Sequence, residues 1–457
     1  MSHSMTQDEK YKMMTEAPIP PLIGKLAVPT IISMLITSIY NMADTFFVGR
    51  IGTSATAAVG VVFPIMAIIQ ALGFFCGHGS GNCISRHLGS KDTKSAGQLA
   101  ATGFFGALIL GIVTMILGLI FLDPLSRLLG STETILPYTR DYLRIILIGA
   151  PYMTAQLVLN NQLRFQGNAF YAMIGITTGG VLNIALDPLF IFTFHMGISG
   201  AALATIISQF VSFVLLLYGI KASGCIPIRL RNVSLNLDRI REIAGGGLPS
   251  LFRQGLASVA TMVLNIAANP YGDAAIAAMS VVSRISMFAN SVLIGFGQGF
   301  QPVCGFNYGA KKYGRVREAF WFCVKVSTAV LLVLAILGGI CSGSLVGIFR
   351  KDPEVIEIGT LALRFQCITF VLNGWIVMNN MMMQTMGKTT YASVLAASRQ
   401  GLFFIPAILI LPQFLGLLGI QAAQAIADVC TMVVTTIVYR IVQKELAREE
   451  KMTAGKS

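Results

Sequence analysis

Stretches of 18 or more mostly apolar residues recur along the whole length of this chain, and few folds accept that pattern. As a helix, about 20 apolar residues match the hydrocarbon thickness of a bilayer, and a dozen such segments have no place in a soluble core. The expected spans are 26–48, 57–87, 95–122, 139–163, 169–194 and 197–221, then 247–269, 274–304, 317–348, 355–385, 389–414 and 416–442. With 54% of the 457 residues hydrophobic and only 12% charged, an ordinary soluble domain is excluded. The first run is long and has no small-residue cleavage site behind it, so it is expected to stay as a membrane helix.

The net charge of +13 invites a nucleic-acid partner, but the distribution of the basic residues removes the need for one. With the N-terminus placed inside, 22 of the 33 lysines and arginines fall in inner segments. Only four, Arg50, Arg127, Arg350 and Lys351, fall in outer loops. That bias predicts a multi-pass membrane protein with both termini in the cytoplasm. The eight cysteines form no CxxC pair and lie mostly in apolar runs, which suits small core residues better than a disulfide framework or a zinc site.

The two halves of the sequence repeat. GFFCGHGSGNCISRHLGSK from Gly73 resembles GFGQGFQPVCGFNYGAKK from Gly295, and NNQLRFQGNAFYA from Asn160 resembles NNMMMQTMGKTTYA from Asn379. Pro29 and Pro249, Gly52 and Gly272, and Tyr171 and Tyr391 pair at an offset of 220. The expected fold is an all-α membrane protein of 12 transmembrane helices. Its two six-helix lobes should be related by a pseudo-two-fold axis along the membrane normal, with a cavity between them. The divisions are a cytoplasmic segment 1–24, an N-lobe 25–222, a cytoplasmic linker 223–246, a C-lobe 247–442 and a cytoplasmic tail 443–457.

Polar residues inside apolar spans are costly and mark candidate sites. Asp44 lies in the first span and Asp187 in the fifth; their counterparts near Asn265 and Ala407 are not acidic, so the fold itself does not demand these acids. Counted outward at 1.5 Å per residue, both sit roughly 28 Å up their helices. Asn183 precedes Asp187 by one turn on the same face, and Thr205 on the sixth span comes near the same level. Two carboxylates, an amide and a hydroxyl make a hard-cation or proton site, with sodium as the one metal it suggests. Two close carboxylates in low dielectric cannot both ionise cheaply, so a proton, a sodium ion or a cationic cargo would each supply the missing charge. The bland alternative is that Asp44 ends its helix near the headgroups and that Asp187-Pro188 is a break signal. Pro29 is either a hinge in the first helix or a plain start-of-helix proline.

Tyr40 and Tyr142 could donate to a carboxylate, though membrane tyrosines also serve as interfacial anchors. Tyr40 and Asn161 are candidates for a substrate cavity, although helix packing explains the paired asparagines equally well. Asp428 is the only intramembrane acid of the second half, which carries Arg253, Arg284 and Arg399; His78, His87 and His195 are placed near helix ends. The sequence holds no Walker loop, aspartate-rich diphosphate motif or H-E-x-x-H, so no enzyme and no organic cofactor is expected.

KLAVPTIISMLITSIYNMADTFFVGRIG, NIALDPLFIF and the two-lobe layout resemble the bacterial MATE (multidrug and toxic compound extrusion) transporters over nearly the whole chain. The resemblance implies an antiporter that expels hydrophobic, often cationic compounds against a proton or sodium gradient. It also implies a coupling site at Asp44, Asn183, Asp187 and Thr205 with Tyr142 nearby, and a first helix hinged at Pro29. One branch of the family uses further acids in the C-lobe, where this sequence offers Arg253, Gln254, Asn373, Asn379 and Asn380. It is more similar to the branch that couples through the N-lobe. The partners implied are small drugs and the lipid bilayer, and the chain is expected to work as a monomer. An exporter of lipid-linked or polysaccharide precursors shares the architecture, but should line its cavity with Arg and Lys. A prenyltransferase would need the absent aspartate-rich motifs, and symmetrical repeats suit alternating access better than a channel.

Overall fold

Where apolar sequence leaves the backbone no water to bond, helix is the economical solution. The computed structural model describes residues 5–454, and no strand occurs among them. A capping box between Thr6 and Glu9 opens α1 (Gln7–Glu16). The first repeat follows as α2 (Ile19–Gly49), α3 (Thr53–Gly89), α4 (Thr93–Ile120), a short α5 (Leu122–Leu128), α6 (Leu136–Phe165), α7 (Ala169–Pro188) and α8 (Gly197–Ala222). The second contains α9 (Leu237–Ala268), α10 (Asp273–Gly309), α11 (Tyr313–Ile340), α12 (Ser342–Phe349), α13 (Pro353–Phe370), α14 (Leu372–Thr385), α15 (Thr389–Ala397), α16 (Ile405–Leu415) and α17 (Leu417–Ala454). Among the described residues eleven helices are long and apolar enough to cross a membrane. The pair α13 and α14, bent by 56°, brings the number to twelve when read as one broken span.

Several boundaries differ from the sequence expectation. The first membrane helix opens at Ile19 rather than 26, so Pro29 lies ten residues inside it and is not a start-of-helix proline. The segment 223–246, expected as a loop, is helical from Leu237 onward. Residues of the expected tail continue α17 to Ala454, and the last three of that tail lie outside the described residues. The expected span 317–348 breaks at Cys341, and 355–385 breaks at Val371. The fifth span ends in a π-helical turn, Leu189–Thr193, after Asp187-Pro188; proline offers no N–H to the regular ladder, and π-turns often mark functional positions.

Backbone geometry makes the internal repeat concrete. Lys91 (φ 61°) pairs with Lys311 (φ 58°), Gly167 (82°) with Gly387 (78°), and Gly52 (149°) with Gly272 (90°), each 220 residues apart. The same offset pairs Asn160 with Asn380; their amides donate to the carbonyls of Ala172 and Ala392 at 3.2 and 2.8 Å. The asparagine doublets, matched from sequence as Asn160 with Asn379, are therefore one residue out of register.

The lobes close on one another at the face that carries both chain termini. There α1 straddles them: Lys10 donates to the carbonyls of Ser223 and Gly224, while Asn307, Lys312 and Arg315 donate to the carbonyls of Met14, Thr15 and Ala17. Thr385 donates to Asn82 at 2.9 Å, and Arg86 bonds both the Thr385 carbonyl and Glu242. A continuous buried cluster that includes Leu26, Cys83, Phe300, Phe306 and Met382 fills this end. Helix α2 runs along the interface, with Thr30 donating to the Gly295 carbonyl at 2.6 Å and Ser38 bonded to Ser291 at 2.8 Å.

Candidate functional site

Three helices of the first repeat converge on the two acids. A Cβ placed on Gly180 of α7 would lie 2.9 Å from Ile36 and 3.3 Å from Tyr40, so α2 and α7 touch at close range just below the acids. On the other flank, Gly179 lies against Ser208 and Ser212 of α8. From these contacts Asp44 stands one turn beyond Tyr40, Asp187 seven residues beyond Gly180, and Thr205 one turn from Ser208.

Asp187 is completely buried and Asn183 nearly so, while Asp44 is half-buried. Asp44 and Asp187 lie within electrostatic reach of one another, and Tyr142 interacts with both. The Asn183 amide donates to Asp187 Oδ1 at 3.5 Å, a long and weak bond. Asp44 Oδ1, Asp187 Oδ2 and Asn183 Oδ1 are buried with no hydrogen-bond donor, and among the described residues neither acid has a cationic side chain at ion-pair distance. Thr205 spends its proton on the Ala201 carbonyl at 3.0 Å, which leaves its oxygen free to accept. Leaving buried acceptors unpaired costs free energy, so this cluster of oxygens is built to receive positive charge.

The remaining candidates divide. Tyr142 is fully buried with its hydroxyl on the Met66 sulfur at 3.8 Å, which removes the interfacial-anchor reading. Tyr40 reaches Gln209, a residue that sequence reasoning missed; it lies one turn after Thr205 on the same face of α8, and that spacing was the available signal. Asn161 is fully buried, its amide on the Leu157 carbonyl and its oxygen on Arg164, so it presents no surface to a cargo in this conformation. Asp428 is held by Arg399 at 2.8 Å, Gln424 and Thr369. His78 is buried in the middle of the C-terminal half of α3, not near a helix end. A cavity of about 750 Å³ lined by Lys94, Arg231 and Asn232 lies at the terminal face, away from the acids.

The family model MatE matches residues 29–189 and 249–410, one match per repeat. The chain belongs to the MatE family. The multidrug export protein MepA of Staphylococcus aureus (strain MSSA476) is 28% identical over 437 residues, covering 95% of this chain and 96% of that protein. A crystal structure of MATE in complex with MaL6 superposes with a TM-score of 0.91 at 27% identity, covering 96% and 99% of the two chains. A MOP superfamily transporter from Pyrococcus furiosus, for which reverse polarity of the binding pocket is described as suggesting a different function, superposes at 0.88 with 26% identity, covering 96% and 98%. This MatE chain is thus a two-lobe, multi-pass membrane transporter and not an enzyme.

Proposed function

We propose that this MatE chain is a multidrug exporter that exchanges hydrophobic, often cationic compounds for protons or sodium ions at Asp44 and Asp187, with both termini in the cytoplasm. The observation that carries the reading is the set of three unpartnered buried oxygens on Asp44, Asp187 and Asn183. Two neighbouring carboxylates in low dielectric do not both hold charge cheaply, so they accept one positive charge and release it when another arrives. Competition for that charge between cargo and driving ion is exchange. Thr205 supplies a further acceptor, and Tyr142 and Tyr40 border the pair.

The mid-helix Pro29 makes α2 inexpensive to bend, and Thr30 beside it bonds across to the other lobe. Bending α2 there links the charge state of Asp44 to the seal between the lobes. The relationship to MepA supports a multidrug cargo. The decisive experiment is dye efflux from drug-sensitive cells expressing Asp44→Asn or Asp187→Asn. Both variants are expected to insert normally and lose efflux; full efflux in either removes that residue from the mechanism. Sodium and pH jumps imposed on vesicles then assign the driving ion.

A further inference from the structure

At the opposite end of the bundle, the lobe interface buries positive charge that the exchange reaction does not use. Arg164 is 2% exposed at the end of α6, 22 residues from Tyr142, a separation of roughly 33 Å along the helix. Its NH2 group donates to Asn161 Oδ1 at 2.5 Å and lies 3.4 Å from His78 Nε2, and its guanidinium carbon lies 5.4 Å from the Phe165 ring. Arg164 Nε and His78 Nδ1 are buried and have no partner. From the other lobe, α9 packs directly on α3, where a Cβ on Gly79 would meet the Ile243 carbonyl and one on Gly247 the Phe75 carbonyl. This brings the half-buried Arg253 of α9 within electrostatic range of both His78 and Arg164. Its own contacts are neutral and long: Asn380 and Ser250, each at 3.4 Å.

Among the described residues no carboxylate pairs with either arginine. Glu242, an acid at this face, is already occupied by Arg86, His87 and Arg239. Desolvating a guanidinium group without a counter-charge costs several kcal/mol, a cost that falls in full on the buried Arg164 and in part on the half-buried Arg253. The negative end of the α6 dipole offsets part of that for Arg164, but Arg253 sits mid-helix and has no such help. Nor does the fold require the cluster. At the 220-residue offset, Arg164 corresponds to Gln384, His78 to Gln298 and Arg253 to Ser33, all neutral.

We infer that Arg164, His78 and Arg253 form an inter-lobe site for one small anion of the halide class. Arg164 Nε and His78 Nδ1 from one lobe and the Arg253 N–H groups not used on Asn380 and Ser250 from the other supply its ligands. Its charge holds together two lobes whose facing side chains otherwise repel. A halide needs only a few convergent N–H groups, whereas a phosphate presents more oxygens than these free donors can satisfy. Because the donors come from both lobes, the site exists only while this face is closed. By linkage, the anion then favours the closed state. The inference is independent of the coupling ion and of the cargo.

The test uses the purified full-length chain at constant sodium concentration, which keeps any sodium effect at Asp44 and Asp187 fixed. Thermal unfolding is followed in chloride, bromide, phosphate and gluconate at matched ionic strength. The expected result is a saturable rise of several degrees with chloride and bromide but not with phosphate or gluconate, lost in Arg253→Gln. Crystals grown with bromide should show an anomalous peak between Arg164 and Arg253, a readout that does not depend on any variant folding. A phosphate-selective rise would overturn the halide assignment in favour of a phosphate-bearing ligand such as a lipid headgroup. No saturable rise, a rise that survives Arg253→Gln, or no bromide peak would overturn the site.

Discussion

Arg399 donates to Asp428 at 2.8 Å inside the second lobe, whereas Asp44 and Asp187 in the first have no such partner. The three acids therefore do different things. Asp428, 2% exposed and also contacted by Gln424 and Thr369, is an internally neutralised structural pair. Removing one partner of a buried pair strands the other charge and costs about 3–5 kcal/mol, while replacing both by apolar residues is often close to neutral. Arg399→Leu is thus expected to lower the thermal midpoint strongly, and the double change Arg399→Leu with Asp428→Leu to recover most of the loss. Residual efflux per folded molecule should keep its ion dependence in both, which distinguishes this pair from Asp44 and Asp187.

The lobe seal along α2 gives a second prediction. A Cβ on Gly299 would stand 2.6 Å from the Ala27 Cα, backbone that cannot step aside without moving the whole helix. Gly299→Ala is expected to cost about 1–3 kcal/mol through overpacking and to open the terminal face. A cysteine reporter placed at Ala27 should label faster in that background. Unchanged labelling would mean that α2 and α10 do not form the seal.

Much of this architecture was legible in the sequence, and the parts that were not have identifiable physical causes. Apolar run length and the offset between Pro29 and Pro249 pointed to the repeat, because burial in lipid and a shared kink leave marks in residue type. The break at Val371 left only a weak mark: no proline is near it, the Asn373-Gly374 pair sits inside an apolar run, and the bend accompanies Gly374 seating against Ser327 and Thr328, a tertiary contact. The asparagine doublets slipped by one residue because identical neighbours fit either register; the 220-residue offset of Tyr171 and Tyr391 already favoured Asn160 with Asn380, and the Ala172 and Ala392 carbonyls decide it. At the acids, depth counting brought Asp44, Asn183, Asp187 and Thr205 together. His78 was placed near a helix end, whereas it lies inside α3 with Arg164 turned inward onto it; Asn161, which sequence left open between cavity and packing, bonds the same Arg164.

The α1 strap should respond to pH. Lys10 is 2% exposed, and burial pulls its pKa below the usual 10.5. A lysine with a lowered folded value binds its proton more readily when released, so docking carries a penalty below the folded pKa that fades as pH rises toward 10.5. Docking of α1 is therefore expected to tighten from neutral to alkaline pH. Amide exchange within Gln7–Glu16, corrected for its intrinsic pH dependence, should slow over that range, and Lys10→Met should remove the trend.

The last prediction separates the acids without touching either. Gly180 lets α7 approach α2 so closely that a Cβ would sit 2.9 Å from Ile36 and 3.3 Å from Tyr40. A valine there adds two further methyl groups, and the cheapest relief is for α2 to move away from α7, which carries Asp44 away from Asp187. With overpacking of this kind costing about 1–3 kcal/mol, Gly180→Val should still fold and insert. Efflux should fall toward that of Asp44→Asn, because two acids held apart each ionise independently and no longer share one positive charge. Gly24→Ala is the matched control on α2, since nothing lies within 4 Å of its added Cβ, and it should transport normally. Normal transport in Gly180→Val would mean that the acids work singly, and the shared-charge mechanism would fail with it.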